Sequence, residues 1–312
     1  MKHFQHLFQT IISLIALRVS ANWLPPQLKA LAASHASLRM VLTIPGLKPM
    51  FVFTYWDNAS AIHSLPDDPY TLRDTIITAY IQARYEQASR KRFTPFSLEE
   101  LEDALSCAAL RDTLRGHGTR YRALPHEVPI PPVNSLELDD FTSSHDVDTK
   151  ALIAQACRLE VIKKHGGGRW RFTYLILRDY YATRYAFANF DGDDRYSAVV
   201  IASKLNDPRM VKSLISCLND NNDLIRHHAA AGLQHLEDAA VLSVIAALGS
   251  EHTMTRRYAI DVLEQLHDRR AVEPLTALLH DDDWGIRHTA ARALKTFEVT
   301  STPSVIEHSK KK

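Results

Sequence analysis

The sequence predicts a mainly α-helical protein with three parts: a helical N-terminal region, a helical module carrying a small β-hairpin, and a C-terminal solenoid of repeated helix pairs. Three observations support this prediction. An eleven-residue phrase that begins with arginine recurs near the end of the chain, apolar residues follow helical spacing, and one alternating stretch is interrupted by three glycines. The predicted divisions are residues 1–66, 67–190 and 191–299, followed by a disordered tail at 300–312.

The repeated phrase is clearest in "RHTAARALKTF", which begins at Arg287. Its other copies begin at Arg195, Arg226 and Arg256, so the four arginines are 31, 30 and 31 residues apart. Small or apolar residues follow each arginine at three, seven and ten positions, which is one face of a helix. The first of these positions is always alanine: Ala198, Ala229, Ala259 and Ala290. We therefore expect these alanines to lie buried where two helices approach closely.

A second amphipathic helix is predicted between successive copies, opened by Asp207, Asp238 and Asp268. Apolar residues follow each aspartate at four, seven and ten positions; in the middle copy these are Leu242, Ile245 and Leu248. A helix pair with one apolar stripe cannot bury that stripe alone, so the copies are expected to stack. The stretch "DRRAVEPLTALLHDDDWGIRHTAARALKTF" resembles the short HEAT-like repeats first associated with bilin lyases. The resemblance implies a four-unit solenoid over residues 191–299.

Two interpretations of the repeated arginines are open. In the first, each arginine pairs with acidic residues of the neighbouring turns and ties the repeats together; the candidates are Asp193, Asp194, Asp223, Glu251, Asp282 and Asp283. In the second, the basic residues line a continuous surface that binds an acidic partner or a phosphate backbone, and a protein partner is favoured. The candidates for this protein-binding surface are Arg226, His227, His228, Arg256, Arg257, Arg287 and His288.

Two helices are expected at the start of the middle region. The first begins at Pro69 behind an Asp68 cap, and the second begins with a capping box formed by Ser97 and Glu100. A proline-rich, acidic stretch follows without helical periodicity, and it predicts an exposed loop over about residues 116–148.

A β-hairpin is predicted where "LEVIKKH" and "RWRFTY" flank Gly166, Gly167 and Gly168. With its flanking helices, the hairpin gives a winged-helix-like module. Its basic residues could remain solvated or contact nucleic acid, and the candidates are Lys163, Lys164, Arg169, Trp170 and Arg171. The net charge of +1 provides no general attraction to nucleic acid, so a protein partner is favoured and nucleic acid is not expected.

The segment "WRFTYLILRDYYAT" resembles the C-terminal winged-helix part of NACHT-type signalling NTPases. Matching positions are Phe172, Leu177, Asp179, Tyr180, Tyr181 and Ala182. The sequence departs from the family at Tyr174, where a histidine thought to contact the nucleotide phosphate is usual. No GxxxxGK[ST] motif is present, so the resemblance implies the second half of a nucleotide switch without its phosphate-binding half.

The remaining sequence features concern cellular location, membrane spans and catalytic motifs. Three widely spaced cysteines favour a reducing, cytoplasmic location, and no apolar run is long enough to span a membrane. The stretch "MKHFQHLFQTIISLIALRVSANW" is interpreted as an amphipathic helix, with a signal peptide as the alternative. No catalytic, metal-binding or cofactor motif is recognisable.

The sequence therefore predicts a non-enzymatic, protein-binding scaffold or sensor module. Three alternatives remain open: a subunit that completes a split NTPase with a partner chain carrying the nucleotide-binding core, a bilin lyase-like chaperone, and nucleic-acid binding through the basic hairpin.

Overall fold

A computed structural model describes residue 30 and residues 34–56, 59–91, 94–115, 136–141 and 148–301. The predicted helix or signal peptide at the start of the chain lies outside these residues. The chain divides into two compact units between Arg184 and Tyr185, a few residues before the boundary expected from the sequence. None of the helices in the described ranges is both long and apolar enough to cross a membrane.

The first unit is built from helices and one small hairpin, and its two longest helices begin with the predicted caps. The side chain of Asp68 accepts a hydrogen bond of 2.7 Å from the backbone N–H of Thr71. Ser97 and Glu100 bond reciprocally to each other's backbone N–H groups at 3.2 and 2.8 Å, which confirms the capping box. The helices are α1 (Ala36–Val41), α2 (Leu47–Tyr55), α3 (Pro69–Ser89), α4 (Leu98–Arg115), α5 (Thr149–Arg158) and α6 (Leu175–Asn189), the last of which ends in the second unit.

The predicted hairpin consists of strands β1 (Ile162–His165) and β2 (Arg169–Phe172), which pair antiparallel. Gly167 and Gly168 in its turn have positive φ angles of 76° and 74°, a conformation that strongly favours glycine. Ile162 and Phe172 face each other at the base of the hairpin, and both are buried.

The predicted exposed loop over residues 116–148 is wrong for residues 136–141, which are packed against the first unit. Leu136 and Phe141 are buried, and Leu136 forms a β-bridge with Trp170 through backbone hydrogen bonds of 2.7 and 2.9 Å. Asp140 is also buried, where it forms an ion pair with Arg115. Two buried apolar side chains and one paired carboxylate therefore hold residues 136–141 against the rest of the first unit, although this segment lacks helical periodicity. The rest of the predicted loop lies outside the described residues.

The second unit contains the predicted stack of helix pairs. Its helices are α7 (Arg195–Ala202), α8 (Val211–Cys217), α9 (Asp223–His235), α10 (Asp238–Ala247), α11 (Thr253–Leu266), α12 (Val272–Ala277) and α13 (Trp284–Ser301). Helices α7, α9, α11 and α13 carry the repeated phrase and contact one another in that order, forming one layer. Helix α13 continues two residues into the region predicted to be a disordered tail; residues 302–312 lie outside the described part of the chain.

The four alanines of the repeated phrase are completely buried, as predicted. They allow the helices of this layer to approach closely. One position in the layer is more restrictive still: a β-carbon added to Gly232 of α9 would lie 2.9 Å from the Cα atom of Ser203. Contact between these two backbones therefore requires glycine at position 232.

The apolar face predicted for α10 is wrong at Leu242, whereas Leu248, which follows the last residue of the helix, is buried as predicted. Leu242 is 65% exposed, whereas Val241 and Val244 are buried. The repeat that contains α10 is 30 residues long rather than 31. In the longer repeats a capped turn precedes the corresponding helix, α8 or α12, and this turn is absent before α10. Asp207 and Asp268 cap those turns as predicted, but α10 begins directly at Asp238, so its buried face is displaced by one position.

Candidate functional site

The repeated arginines, Arg195, Arg226, Arg256 and Arg287, lie near the N-termini of the helices in the α7–α9–α11–α13 layer. Arg226, Arg256 and Arg287 direct their guanidinium groups towards the preceding turns, whereas Arg195 forms an ion pair of 3.3 Å with Asp220, in the turn before α9. Arg226 donates to the carbonyl oxygen of Asp220 at 2.6 Å and to the carboxylate of Asp223 at 2.7 Å. Arg287 donates to the carbonyl oxygens of Asp281 and Asp282 at 2.7 and 2.9 Å. Arg226 and Arg287 therefore close the turn within their own helix pairs.

Arg256 also connects one repeat to the next. Its guanidinium donates to the carbonyl oxygen of Ser250 at 2.8 Å and forms an ion pair of 3.0 Å with Asp281, which precedes α13. The two charged side chains are only 14% and 10% exposed. Charge-assisted hydrogen bonds of this kind are stronger than neutral ones, especially when they are shielded from water.

The structure separates the seven basic residues proposed as a binding surface into two groups. Arg226, Arg256 and Arg287 bond to their own or the neighbouring repeat, in agreement with the first interpretation of the repeated arginines. His227, Arg257 and His288, each the next residue in sequence, are exposed. His228 is half-buried, with its ring 5.7 Å from the ring of Tyr196.

The residue after each repeated arginine forms what we call the exposed row: Tyr196, His227, Arg257 and His288. The row crosses four neighbouring helices, because its members occupy equivalent positions in successive repeats. The first two members of the exposed row, Tyr196 and His227, are held by contacts to the next helix. Tyr196 packs against His228, and the ring of His227 lies 5.5 Å from that of Tyr258 in an edge-to-face arrangement.

Trp284 extends this surface at the start of α13. Its side chain is 71% exposed and stacks on the imidazole of His288, with ring centroids 5.5 Å apart and planes 10° apart. A large aromatic side chain left exposed beside the row is a typical anchor for a protein partner. Trp284 was not among the predicted surface residues, because its exposure depends on how α13 packs.

The carboxylates on this layer are engaged within the repeats. Asp223 accepts from Arg226 and, at 3.1 Å, from the hydroxyl of Tyr258. Asp261 and Glu264 of α11 both pair with Arg292 of α13, at 2.7 and 2.9 Å. Arg257, in contrast, has no ion-pair partner among the residues that the structure describes. Asp261 and Arg292 are one repeat length apart in the sequence. This spacing, together with their opposite charges, could have predicted the ion pair.

His228 is the member of the predicted surface whose protonation is most affected by the fold. Burial lowers the pKa of its imidazole, and the positive charges of Lys204 and His227 lower it further. His228 therefore favours its neutral form and is better suited to packing against Tyr196 than to binding an anion.

The basic hairpin is organised by its strand pairing. Lys163 faces Arg171, Lys164 faces Trp170, and His165 faces Arg169. Trp170 does not project freely as the nucleic-acid hypothesis required, because its ring packs edge-to-face against Phe141 with centroids 6.3 Å apart. The four basic candidates, Lys163, Lys164, Arg169 and Arg171, form no ion pair with any other described residue.

Within the described ranges, no group of three His, Cys, Asp or Glu residues is placed to hold a metal ion. Comparison with known proteins gives one family match: the model of HEAT repeats matches residues 241–308. No curated protein matches the chain. The family match covers α10–α13 and does not extend to the predicted winged-helix-like module at 67–190. The protein is thus mainly α-helical, and its C-terminal part is built from HEAT-like repeats.

Proposed function

We propose that this protein is a non-catalytic scaffold that binds another protein through the exposed row and Trp284. One observation supports the proposal: the repeated arginines bond within the solenoid, whereas the residue after each of them is exposed at an equivalent place in the layer. HEAT repeats commonly mediate protein interactions, and stacked helices provide a continuous surface for them.

The composition of this surface supports a protein partner. Aromatic residues and arginine are enriched in the energetically important parts of protein interfaces, and the surface contains Tyr196, Trp284 and Arg257. The rings of Tyr196 and Trp284 are already held against His228 and His288, so they lose less conformational freedom when a partner binds.

The charge distribution supports an acidic partner segment. Asp223, Asp261 and Glu264 already accept hydrogen bonds from cations of the solenoid, whereas Arg257 has no ion-pair partner in the described chain. A carboxylate on the partner would therefore meet an unneutralised cation beside exposed aromatic rings. Such a contact would contribute to specificity and to the rate of association.

The proposal can be tested with a double variant, Arg257→Glu together with Trp284→Ala. A matched control, Lys212→Glu, changes an exposed charge on α8, outside the α7–α9–α11–α13 layer. Partners captured from source cells with the tagged wild-type protein are identified, and the purified partner is then titrated against each variant. We expect the control to bind normally and the double variant to lose at least about tenfold in affinity, or about 1.4 kcal/mol. Equal binding by all three proteins would refute this surface.

We further propose that the first unit descends from the C-terminal winged-helix part of a NACHT-type NTPase. Two features support this origin: a hairpin lies between helices α5 and α6, and Phe172 packs against Tyr181 with ring centroids 6.2 Å apart. Both residues belong to the segment that resembles the family. Tyr174, which replaces the usual histidine, is half-buried and lies over Gly46.

The split-NTPase alternative makes a different prediction. A neighbouring reading frame that encodes a GxxxxGK[ST] loop should yield a chain that co-purifies with this protein and hydrolyses ATP faster in its presence. If ATP hydrolysis by that chain is unchanged when this protein is added, the split-NTPase alternative is excluded and the scaffold proposal is unaffected.

A further inference from the structure

One face of the hairpin in the first unit carries only basic side chains. Alternate residues of a strand point to opposite faces, so Lys163 and His165 of β1 share a face with Arg169 and Arg171 of β2. The opposite face contains Ile162, Phe172 and Trp170, which pack against the unit. We call the set Lys163, His165, Arg169 and Arg171 the basic face.

The basic face differs from the ion-paired arginines of this unit because its charges are not neutralised. Arg84 pairs with Glu160, and Arg115 pairs with Asp140. Across the described part of the chain, no carboxylate lies within ion-pair distance of any member of the basic face. In addition, Lys163 lies directly opposite Arg171, an arrangement of like charges that destabilises a strand pair.

Protection of a sheet edge explains only part of this arrangement. Lysines on an exposed edge strand discourage pairing with other chains, and this accounts for Lys163 and Lys164 on β1. It does not account for Arg169 and Arg171, because the outer edge of β2 pairs with Leu136 at Trp170. A ligand that supplies negative charge would relieve the repulsion between the two strands.

The geometry of the basic face points to a repeating anion. Two cations on the same strand are separated by about 7 Å, and the two strands are about 5 Å apart. None of the large exposed hydrophobic residues in the described chain lies on either strand. A protein interface would normally place apolar or aromatic side chains at its centre, whereas binding to a phosphate backbone requires little more than well-placed cations.

We propose that the basic face binds the phosphate backbone of a nucleic acid without reading its bases. Trp170 is held against Phe141 and so does not stack on a base. Binding should therefore be independent of sequence and should release counterions. With three or four cations involved, the logarithm of the association constant should fall against the logarithm of salt concentration with a slope of about −3 on duplex DNA. This site is independent of the proposed protein-binding surface in the second unit.

The test measures fluorescence anisotropy of a labelled DNA duplex of mixed sequence, and of the corresponding single strand, across a salt series. The full-length protein is compared with the triple variant Lys163→Gln, Arg169→Gln and Arg171→Gln. A charge-matched control carries Lys212→Gln, Arg269→Gln and Lys295→Gln, three exposed positions in the second unit that lie outside the exposed row. We expect the wild-type protein and the control to bind with dissociation constants of about 10⁻⁴–10⁻⁶ M, and the hairpin variant to bind at least about tenfold more weakly.

Thermal unfolding distinguishes a binding defect from a folding defect. The hairpin variant should unfold at the same temperature as the wild-type protein or slightly higher, because the substitutions remove like-charge repulsion. The proposal fails if the wild-type protein does not bind the duplex or the single strand, or if the hairpin variant and the control lose the same affinity. It also fails if polyglutamate binds the wild-type protein more tightly than either nucleic acid does, since that result would assign the basic face to an acidic protein.

Discussion

Gly232 of α9 lies so close to Ser203 that a β-carbon at position 232 would be only 2.9 Å from the Cα atom of Ser203. The side chain of Leu214 is nearly as near, at 3.1 Å. This contact fixes the distance between α9 and the end of α7, and so the spacing of two successive repeats.

The first prediction is that Gly232→Ala destabilises the protein. Alanine normally stabilises a helix interior relative to glycine, but here the backbone of Ser203 cannot move independently of α7. We expect the free energy of unfolding to fall by about 1–3 kcal/mol in urea denaturation. Gly249→Ala is the control, because its nearest contact would be an ordinary 3.6 Å. A Gly232→Ala protein as stable as this control would show that the interface is more adaptable than the contact implies.

The second prediction separates two adjacent arginines. Arg256→Gln removes the charged partner of Asp281 and leaves that carboxylate largely buried without its cation. We expect it to lower the free energy of unfolding by about 2–3 kcal/mol, whereas Arg257→Gln should change it by less than about 0.5 kcal/mol. Chemical denaturation of the two single variants measures the difference. Similar losses in both would contradict the assignment of Arg256 to a structural role.

The third prediction concerns Gly46, which precedes α2. Its φ angle is 94°, and an added β-carbon would lie 2.7 Å from the ring of Tyr174. Gly46→Ala should therefore combine backbone strain with a steric clash and cost at least about 2 kcal/mol in the free energy of unfolding. Gly166→Ala is a suitable comparison, because nothing lies within 4 Å of its added carbon. Near-equal stability of the two variants would argue against the contact between Gly46 and Tyr174.

The fourth prediction is a pH dependence that arises from His228. Its pKa is lowered from the ordinary 6.5, so the unfolded chain takes up a proton at this position at a higher pH than the folded protein does. The contribution of neutral His228 is fully present above pH 6.5 and is lost as the pH falls through the lower pKa of the folded state.

NMR titration of the histidine ring protons should place the His228 midpoint below 6.5, and His228→Gln should reduce the loss of stability in acid. The assignment would fail if His228 titrated at or above 6.5, or if the variant lost stability in acid as steeply as the wild-type protein.

Local sequence patterns predicted the elements well. Helical spacing identified the buried alanines of the repeated phrase, and side-chain chemistry identified the caps at Asp68 and Ser97. Three consecutive glycines between alternating segments identified the hairpin. Each of these features depends on residues only a few positions apart, so a short stretch of sequence contains the physical information that determines it.

The exposed surface could not be predicted in the same way. Arg256 and Arg257 are adjacent and chemically identical, yet one pairs with Asp281 and the other is exposed. Leu242 fits an apolar pattern but is exposed, because the shorter repeat turns α10 by one position. Leu136 lies in a polar stretch but is buried through its bridge to Trp170.

Periodicity and turn chemistry are local, so the order of the amino acids was sufficient to predict the stacked helix pairs and the glycine-turn hairpin. Which cations are paired and which remain available depends on packing between distant segments. Asp281, the ion-pair partner of Arg256, and Leu136, the bridge partner of Trp170, are each at least 25 residues away in the sequence, and only packing brings those segments together.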